Sequence, residues 1–505
     1  MLVPRPRSLV LRGGAFVIGP DANLRGPDDL TALLRRELGP TGLPLLTGGG
    51  PGIELAVDPS LGPEAYRLIV GAGGVRIAGG DRAGVFYGIQ TLKQLLPPAV
   101  YRRVAPAGTT WAVAGVEVED APRFHWRGGM LDVARHFMPK DFLFRWVDLL
   151  ALHKLNVFHL HLTDDQGWRF ESRHHPRLQH AASWRRETDG DGRPHGGFYS
   201  QDDLRELVAY AAARSVTVVP EIEMPGHTRA AIAAYPELGN RPQSPVAVGT
   251  RWGVMDTVLN LRDATLAFCT DILDEVLEIF PSTYVHIGGD ECPTTEWAAS
   301  ADTARLMRER GVQRVEDYQR WFTGRIRDHL ESRGRRLAAW DEIVDAGPVP
   351  GALVMGWRSA RHGTNAAELG QEVVMAPQGA TYFDFAASDD PGDPGARRAA
   401  STGLDRVYAF DPVAGFRASL ERAVVGTQFQ VWTERMPTPR DVEYLALPRA
   451  SALAEVAWSP AGGEFEEFEG RLAAAHLPRL DALGVNYRPL DGPRPWQCLS
   501  PPPPV

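Results

Sequence analysis

The chain has 505 residues, too many for one ordinary domain and enough for two or three. Its 44% hydrophobic and 23% charged residues are those of a soluble globular protein. The net charge of -9, with no long Lys/Arg cluster, argues against a nucleic-acid partner, and no apolar run is long enough to span a membrane.

Met1 to Arg7 is followed by Ser8-Leu9-Val10-Leu11-Arg12, an apolar run too short for a signal-peptide core. The expected location is therefore cytoplasmic, or secreted if a leader has been trimmed. Residues 1–122 read as a separate non-catalytic α+β domain. Tyr66 to Val70 and Val75 to Ala78 form a strand pair across Gly71-Ala72-Gly73-Gly74. Asp81 caps a helix in which Val85, Ile89, Leu92 and Leu96 recur at helical spacing, and Pro97-Pro98 stops it. These glycines do not fit a dinucleotide fingerprint. No cofactor motif is present anywhere in the chain, and none is expected.

From residue 123 the pattern becomes strand, loop, helix, repeated. The predicted strands are Trp126–Val133, Asn156–Leu162, Val216–Ile222, Tyr284–Ile287, Arg336–Trp340, Ala352–Trp357, Glu372–Ala376 and Val424–Trp432. Predicted helices include one from Pro139, at the first helical position, to Lys154, and one unbroken helix from Pro439 to Trp458. Eight such repeats suit a (β/α)8 TIM barrel over residues 123–465, with insertions at 165–199 and 226–262. The competing architecture is a doubly wound open sheet. Residues 466–505 read as one more helix and a loose proline-rich tail, Pro501 to Pro504.

A barrel keeps its chemistry at the carboxyl ends of its strands. Those ends carry Asp132 and Arg135, Asp164 and Asp165, then Glu221, Glu223 and His227. The fourth end is Gly288-Gly289-Asp290-Glu291, where two glycines let the chain leave strand geometry so that adjacent carboxylates share one site. The fifth and sixth carry Trp340-Asp341-Glu342 and Trp357-Arg358. Tyr382 and Asp384 follow the seventh, and Trp432-Thr433-Glu434 ends the eighth. Aromatic walls with acids and arginine suit a sugar. Each residue also has a plainer reading, as core, helix cap or turn.

Two other chemistries need weighing. His159 and His161 share one face of the second strand and offer a metal-hydrolase reading, against that of two satisfied interior histidines. Cys292 follows the acid pair and offers a thiol nucleophile, against a small buried residue. Cys269, Cys292 and Cys498 imply no disulfide framework.

Four segments together resemble family-20 glycoside hydrolases, the β-N-acetylhexosaminidases, and most nearly the bacterial exo-acting members. They are Trp126 to His136, His159 to Asp165, Glu221 to His227, and His286 to Glu291. The resemblance spans about 126–434 and implies hydrolysis of terminal β-linked GlcNAc or GalNAc with retention. In this mechanism the 2-acetamido oxygen of the substrate, not a carboxylate of the protein, attacks the anomeric carbon. Carried over by position, Glu291 is general acid and then base, and Asp290 takes the acetamido N–H and steadies the oxazolinium charge. Tyr382 bonds the acetamido oxygen. His227 supports Glu291 through Asp164 or Asp165. Arg135, Asp384 and Glu434 hold sugar hydroxyls, while Trp340, Trp357 and Trp432 wall the pocket. The resemblance implies a small oligosaccharide partner and no metal. The remaining alternatives are the metal-dependent hydrolase using His159 and His161, and a non-catalytic carbohydrate-binding protein.

Overall fold

A computed structural model describes residues 2–390, 393, 394 and 397–498, so the predicted tail Pro501 to Pro504 lies outside the described residues. Eight parallel strands close on themselves, which rules out the open doubly wound sheet. They are β1 (Trp126–Asp132), β2 (Val157–His161), β3 (Thr217–Glu221), β4 (Tyr284–His286), β5 (Arg336–Trp340), β6 (Leu353–Gly356), β7 (Glu372–Met375) and β8 (Val424–Val431). Each pairs with its neighbours in chain order, and β8 returns to β1 with Gly426 opposite Trp126.

Nearly every strand residue is buried, because one face meets the helices and the other the barrel interior. Alternation then sorts the residues. Phe158, Leu160 and Val285 join the outer core under the helices. Trp126, Met130, Val157, Val219, Ala338, Trp340, Leu353, Met355 and Val374 fill the interior. His159, His161, Glu221, His286 and Gln428 also lie inside, as a polar layer beneath the mouth.

Two helix predictions need correction. Pro139 is the residue before the helix, which runs Lys140–Leu152. The single helix expected over 439–458 is two, Pro439–Ala446 and Arg449–Trp458, broken at Leu447-Pro448. Proline has no N–H to give and its ring clashes with the preceding turn, so the first helix cannot run through it.

The N-terminal unit is a six-stranded sheet with helices Asp28–Glu37 and Arg82–Leu95. Asp81 caps the second helix by accepting from the Gly84 N–H at 2.8 Å. A buried polar weld joins this unit to the barrel. Lys154 Nζ lies 3.0 Å from Asp120 and donates to Tyr66 Oη at 2.8 Å, while Trp458 Nε1 donates to the same Asp120 oxygen at 2.9 Å. Beside it, Arg127 grips Glu64 with both ends of its guanidinium, at 2.7 and 3.2 Å. Among the described residues no helix is long and apolar enough to cross a membrane.

Candidate active site

The site begins where β4 ends. Gly288 and Gly289 both have positive φ, +66° and +85°, and turn the chain out of the strand. A side chain at Gly288 would displace Glu223, since its Cβ would lie 1.6 Å from Glu223 Oε2. Glu291 follows with φ +44°, and His227, its partner from the loop after β3, has φ +49°. A non-glycine residue held there costs on the order of 1–3 kcal/mol, and such strain concentrates at functional sites. The turn leaves Asp290 buried at the bottom and Glu291 with 40% of its side chain exposed at the mouth.

His227 stands between the acid pair and the end of β2. Its Nε2 is 3.5 Å from Glu291 and 3.9 Å from Asp290. Its Nδ1 is 3.3 Å from Asp164 and equally 3.3 Å from Asp165. The choice between those two aspartates therefore does not arise as posed: the hairpin at 163–168 wraps both around one ring. They differ in their other partners. Asp164 also meets Arg135 Nη2 at 2.7 Å and His161 Nε2 at 3.1 Å, whereas Asp165 accepts from the Arg229 N–H at 2.9 Å.

These neighbours set the charges. Burial opposes protonation of His227, but the nearby carboxylates, Asp164 foremost with Asp165 and Glu291, outweigh that and hold the ring well above its ordinary range. The His227 ring, 3.5 Å away, holds Glu291 below the usual carboxylate value. Burial, helped by Glu221 and Glu291, pushes Asp290 up to about 6 against the pull of His227. In the ligand-free site His227 is thus an imidazolium, Glu291 is ionised, and Asp290 binds a proton close to neutrality.

The aromatic residues meet over this acid pair. Trp340 and Trp432 lie 5.8 Å apart between ring centroids, Tyr382 lies 6.2 Å from Trp432, and Trp357 stacks on Tyr382 at 5.9 Å and 20°. Trp340 is anchored by donating to Glu221 at 2.9 Å, and Trp357 by donating to Glu342 at 2.8 Å. Arg135 lies over the Trp432 ring at 4.9 Å. Asp384 is buried two residues past Tyr382, and Glu434 is half-buried, its carboxyl raised by burial against the pull of Arg135. All eleven predicted site residues therefore come to the carboxyl end of the barrel.

Residues without an assigned role in the sequence reading also stand here. Glu223 is 2% exposed and neither of its oxygens has a hydrogen-bond partner among the described residues. Burial, Asp290 and Glu221 push it well above the usual carboxylate range, which favours its protonated form. Glu342 is pushed up to about 9 by burial and by Asp290 and Asp341. Their strand-end positions were the only signal for either. Burial pushes the Cys292 thiol up as well, which leaves it protonated and poorly suited to nucleophilic attack.

His159, Glu221 and His286 lie close enough together to hold a cation. Yet Glu221 occupies the centre of this group. It lies 3.0 Å from His159, 2.5 Å from His161 and 2.7 Å from His286. The far nitrogens of the two predicted ligands are engaged too, His159 with Gln428 at 2.9 Å and His161 with Asp164. Burial opposes charge on His161, but Glu221 and Asp164 raise it to about 10. With both His161 nitrogens and His159 Nδ1 hydrogen-bonded and Glu221 shared among three rings, the geometry fits a polar support beneath the pocket better than a metal centre.

Comparison with known proteins bears on the same residues. The family model for the catalytic domain of glycosyl hydrolase family 20 matches residues 124–461, and that for domain 2 of the family matches 1–121. The chain is 41% identical over 446 residues to a beta-hexosaminidase of Porphyromonas gingivalis, covering 87% of this chain but only 56% of that relative. It is 35% identical over 451 residues to a beta-N-acetylhexosaminidase of Cellulomonas fimi, covering 87% and 84%. Among solved structures, a family-20 beta-N-acetylhexosaminidase of Streptomyces coelicolor superposes with TM-score 0.86 at 34% identity, over 97% and 98% of the two chains. An exo beta-N-acetylglucosaminidase of Vibrio harveyi, solved with N-acetylglucosamine, gives 0.88 at 32%, over 97% and 78%.

Proposed function

The chain belongs to glycosyl hydrolase family 20, and on that premise we propose that it is an exo-β-N-acetylhexosaminidase. It would remove terminal β-linked GlcNAc or GalNAc with retention, through the acetamido oxygen of its own substrate. The observation that carries this reading is the placing of the two acids on one left-handed turn. Asp290 is buried beneath the aromatic pocket, and Glu291 is exposed at its mouth beside an imidazolium.

A sugar ring set among Trp340, Tyr382 and Trp432 puts its acetamido group over Asp290 and its scissile oxygen toward Glu291. The acetamido N–H donates to Asp290, which favours the ionised carboxylate. The same sugar strips water from Glu291, which favours the protonated acid. Binding thus moves the pair from its ligand-free charge state to the one the reaction needs. The acetamido oxygen bonds to the anomeric carbon as the glycosidic bond breaks, and Glu291 gives its proton to the departing oxygen. Asp290, ionised and already in place, faces the positive oxazolinium ion, and the Tyr382 hydroxyl holds the acetamido oxygen in line. A water then gives its proton to Glu291 and opens the ring from the face the leaving group left, so configuration is retained. His227, held by Asp164 and Asp165, stabilises the Glu291 carboxylate between the two steps. Arg135, Asp384 and Glu434 supply bonds to the remaining hydroxyls, and Trp357 closes the wall behind Tyr382.

The test is whether the substrate must carry its own nucleophile. The 4-nitrophenyl N-acetyl-β-glucosaminide should turn over and the matching glucoside should be inert at saturation. A cyclic thiazoline mimic of the intermediate should bind far more tightly than the product sugar. Good turnover of the glucoside, or a glycosyl adduct on Asp290 or Glu291 by mass spectrometry, refutes the mechanism.

A further inference from the structure

We propose that Arg449, which lies outside the barrel wall, is a positioning residue for the reaction. It grips the carbonyls on either side of Asp384 and so sets how Tyr382 and Asp384 reach into the pocket. This rests on the activity proposed above, in which Tyr382 aligns the acetamido oxygen and Asp384 holds a sugar hydroxyl. Arg449 opens the helix Arg449–Trp458, just past the break at Leu447-Pro448, and is 2% exposed. It follows the last barrel strand and stands 64 residues beyond Phe385, so the sequence alone does not connect it with the site.

Arginine carries five N–H donors in a rigid planar fork. Here all five are used, and every acceptor is a backbone carbonyl. Nη2 donates to Phe383 O at 2.7 Å, and Nη1 donates to Phe385 O and Thr402 O at 3.0 Å each. Nε and Nη2 both donate to Leu445 O, at 3.0 and 2.6 Å, in the last turn of the preceding helix. The guanidinium also lies over the Phe383 ring at 4.8 Å. Burial opposes its charge, and Asp384 supports it. An apolar side chain would fill the same space without the cost of burying a charge. What the arginine adds is a fixed fork that spans separate carbonyls.

Those carbonyls belong to the segment that carries the site residues. Tyr382 joins the interior aromatic cluster, whereas Phe383 turns into the outer core and stacks on Phe429 at 4.9 Å. Toward β8 the Phe383 N–H donates to Gln430 O at 2.8 Å. Away from β8, Arg449 takes the carbonyls of Phe383 and Phe385, the two neighbours of Asp384. Thr402 brings in the returning chain, since its N–H donates to Ala386 O at 2.8 Å while its carbonyl accepts from Arg449. Lysine has three donors on a flexible stem and cannot reproduce this fork. A shift of about 1 Å at an aligning group, caused from outside the site, can cost about 10² in rate.

The test is a set of double-mutant cycles on kcat and KM for the 4-nitrophenyl N-acetyl-β-glucosaminide, with Arg449→Met crossed against Tyr382→Phe, Asp384→Asn and Arg135→Lys. Arg449→Met alone should lower kcat by about 10- to 100-fold, as a misplaced aligning group does. It should also raise KM by about three- to tenfold, the share of one weakened hydrogen bond. In the Tyr382→Phe background the kcat loss should shrink to within about threefold, and in the Asp384→Asn background the KM rise should vanish, because the group through which Arg449 acts is already gone. Arg135 comes from the end of β1 and shares no hydrogen-bond partner with Arg449, so Arg135→Lys should combine with Arg449→Met independently, within about twofold. Arg449→Lys keeps the charge and should recover part of kcat. The same cycles run on the lysine variant if the methionine variant does not fold. Losses that multiply independently in all three backgrounds overturn the proposal. So does a lowered urea midpoint with kcat and KM unchanged, which assigns Arg449 to stability alone. A wild-type protein that does not cleave the glycoside at all overturns the activity itself, a different result from either.

Discussion

Replacing Asp290 by Asn is expected to make the protein more stable at neutral pH while making the enzyme slower. Burial lifts the Asp290 carboxyl from an ordinary 3.8 to about 6. Between those values the folded chain still holds a proton that the unfolded chain has lost. Stability contributed by this group is therefore fully present below pH 3.8 and falls as pH rises through the window, by about 1.4 kcal/mol per unit. A rise of about two units costs about 3 kcal/mol at pH 7.5, and about half that at pH 5, where the window is only partly crossed. Asn never ionises and escapes the cost. Denaturant midpoints of wild type and Asp290→Asn at both pH values, read by tryptophan fluorescence, measure the difference. The variant should gain stability at pH 7.5, and the gain should shrink by about half at pH 5. Turnover should fall by about 10²–10³, as when one preorganised charge-stabilising group is lost. A variant no more stable than wild type at pH 7.5, or a gain equal at both pH values, refutes the assignment of Asp290 as a buried carboxylate kept for function.

Glu291→Gln should lower turnover by about 10²–10⁴ on oligosaccharides, the usual share of general acid catalysis, and by much less on the nitrophenyl glycoside, whose leaving group needs little protonation. Equal losses on both would remove Glu291 from the acid role. Burial, Asp290 and Glu221 raise the Glu223 carboxyl well above its ordinary range and favour its protonated form, so Glu223→Gln, which resembles that form, should keep kcat/KM within about tenfold and leave the acid limb of the pH profile in place. A thousandfold loss would show that the carboxylate works ionised. Asp120→Ala strands the buried Lys154 ammonium and should cost about 3–5 kcal/mol in chemical unfolding, a loss relieved when Lys154→Met is added. A double variant as unstable as the single one would show that the buried charge was not the cause.

The eight barrel strands were legible because each is a short apolar run buried on both faces, closed by polar residues at one end. Val157 to His161 and Tyr284 to His286 are of this kind. Gly288-Gly289 announced a departure from strand geometry, and both adopt the left-handed backbone that only glycine enters at little cost. The break at Pro448 was legible too, in a residue that cannot continue a helix, although the apolar periodicity around it suggested one element. Tertiary structure decided what depends on neighbours from other strands. Asp164 and Asp165 are adjacent in sequence and would point apart on a strand, yet a tight hairpin puts both at 3.3 Å from one imidazole. Glu221 became the centre of three histidines and Trp340 because β2, β3, β4 and β5 all point inward at the same height. Which carboxyl is charged followed from the same convergence. Asp290, Glu223 and Glu342 are raised by burial and by neighbouring carboxyls, whereas Glu291 and Asp164 are lowered by His227 and Arg135. A pKa is set by charges within a few ångströms in any direction, and the linear chain does not record that distance.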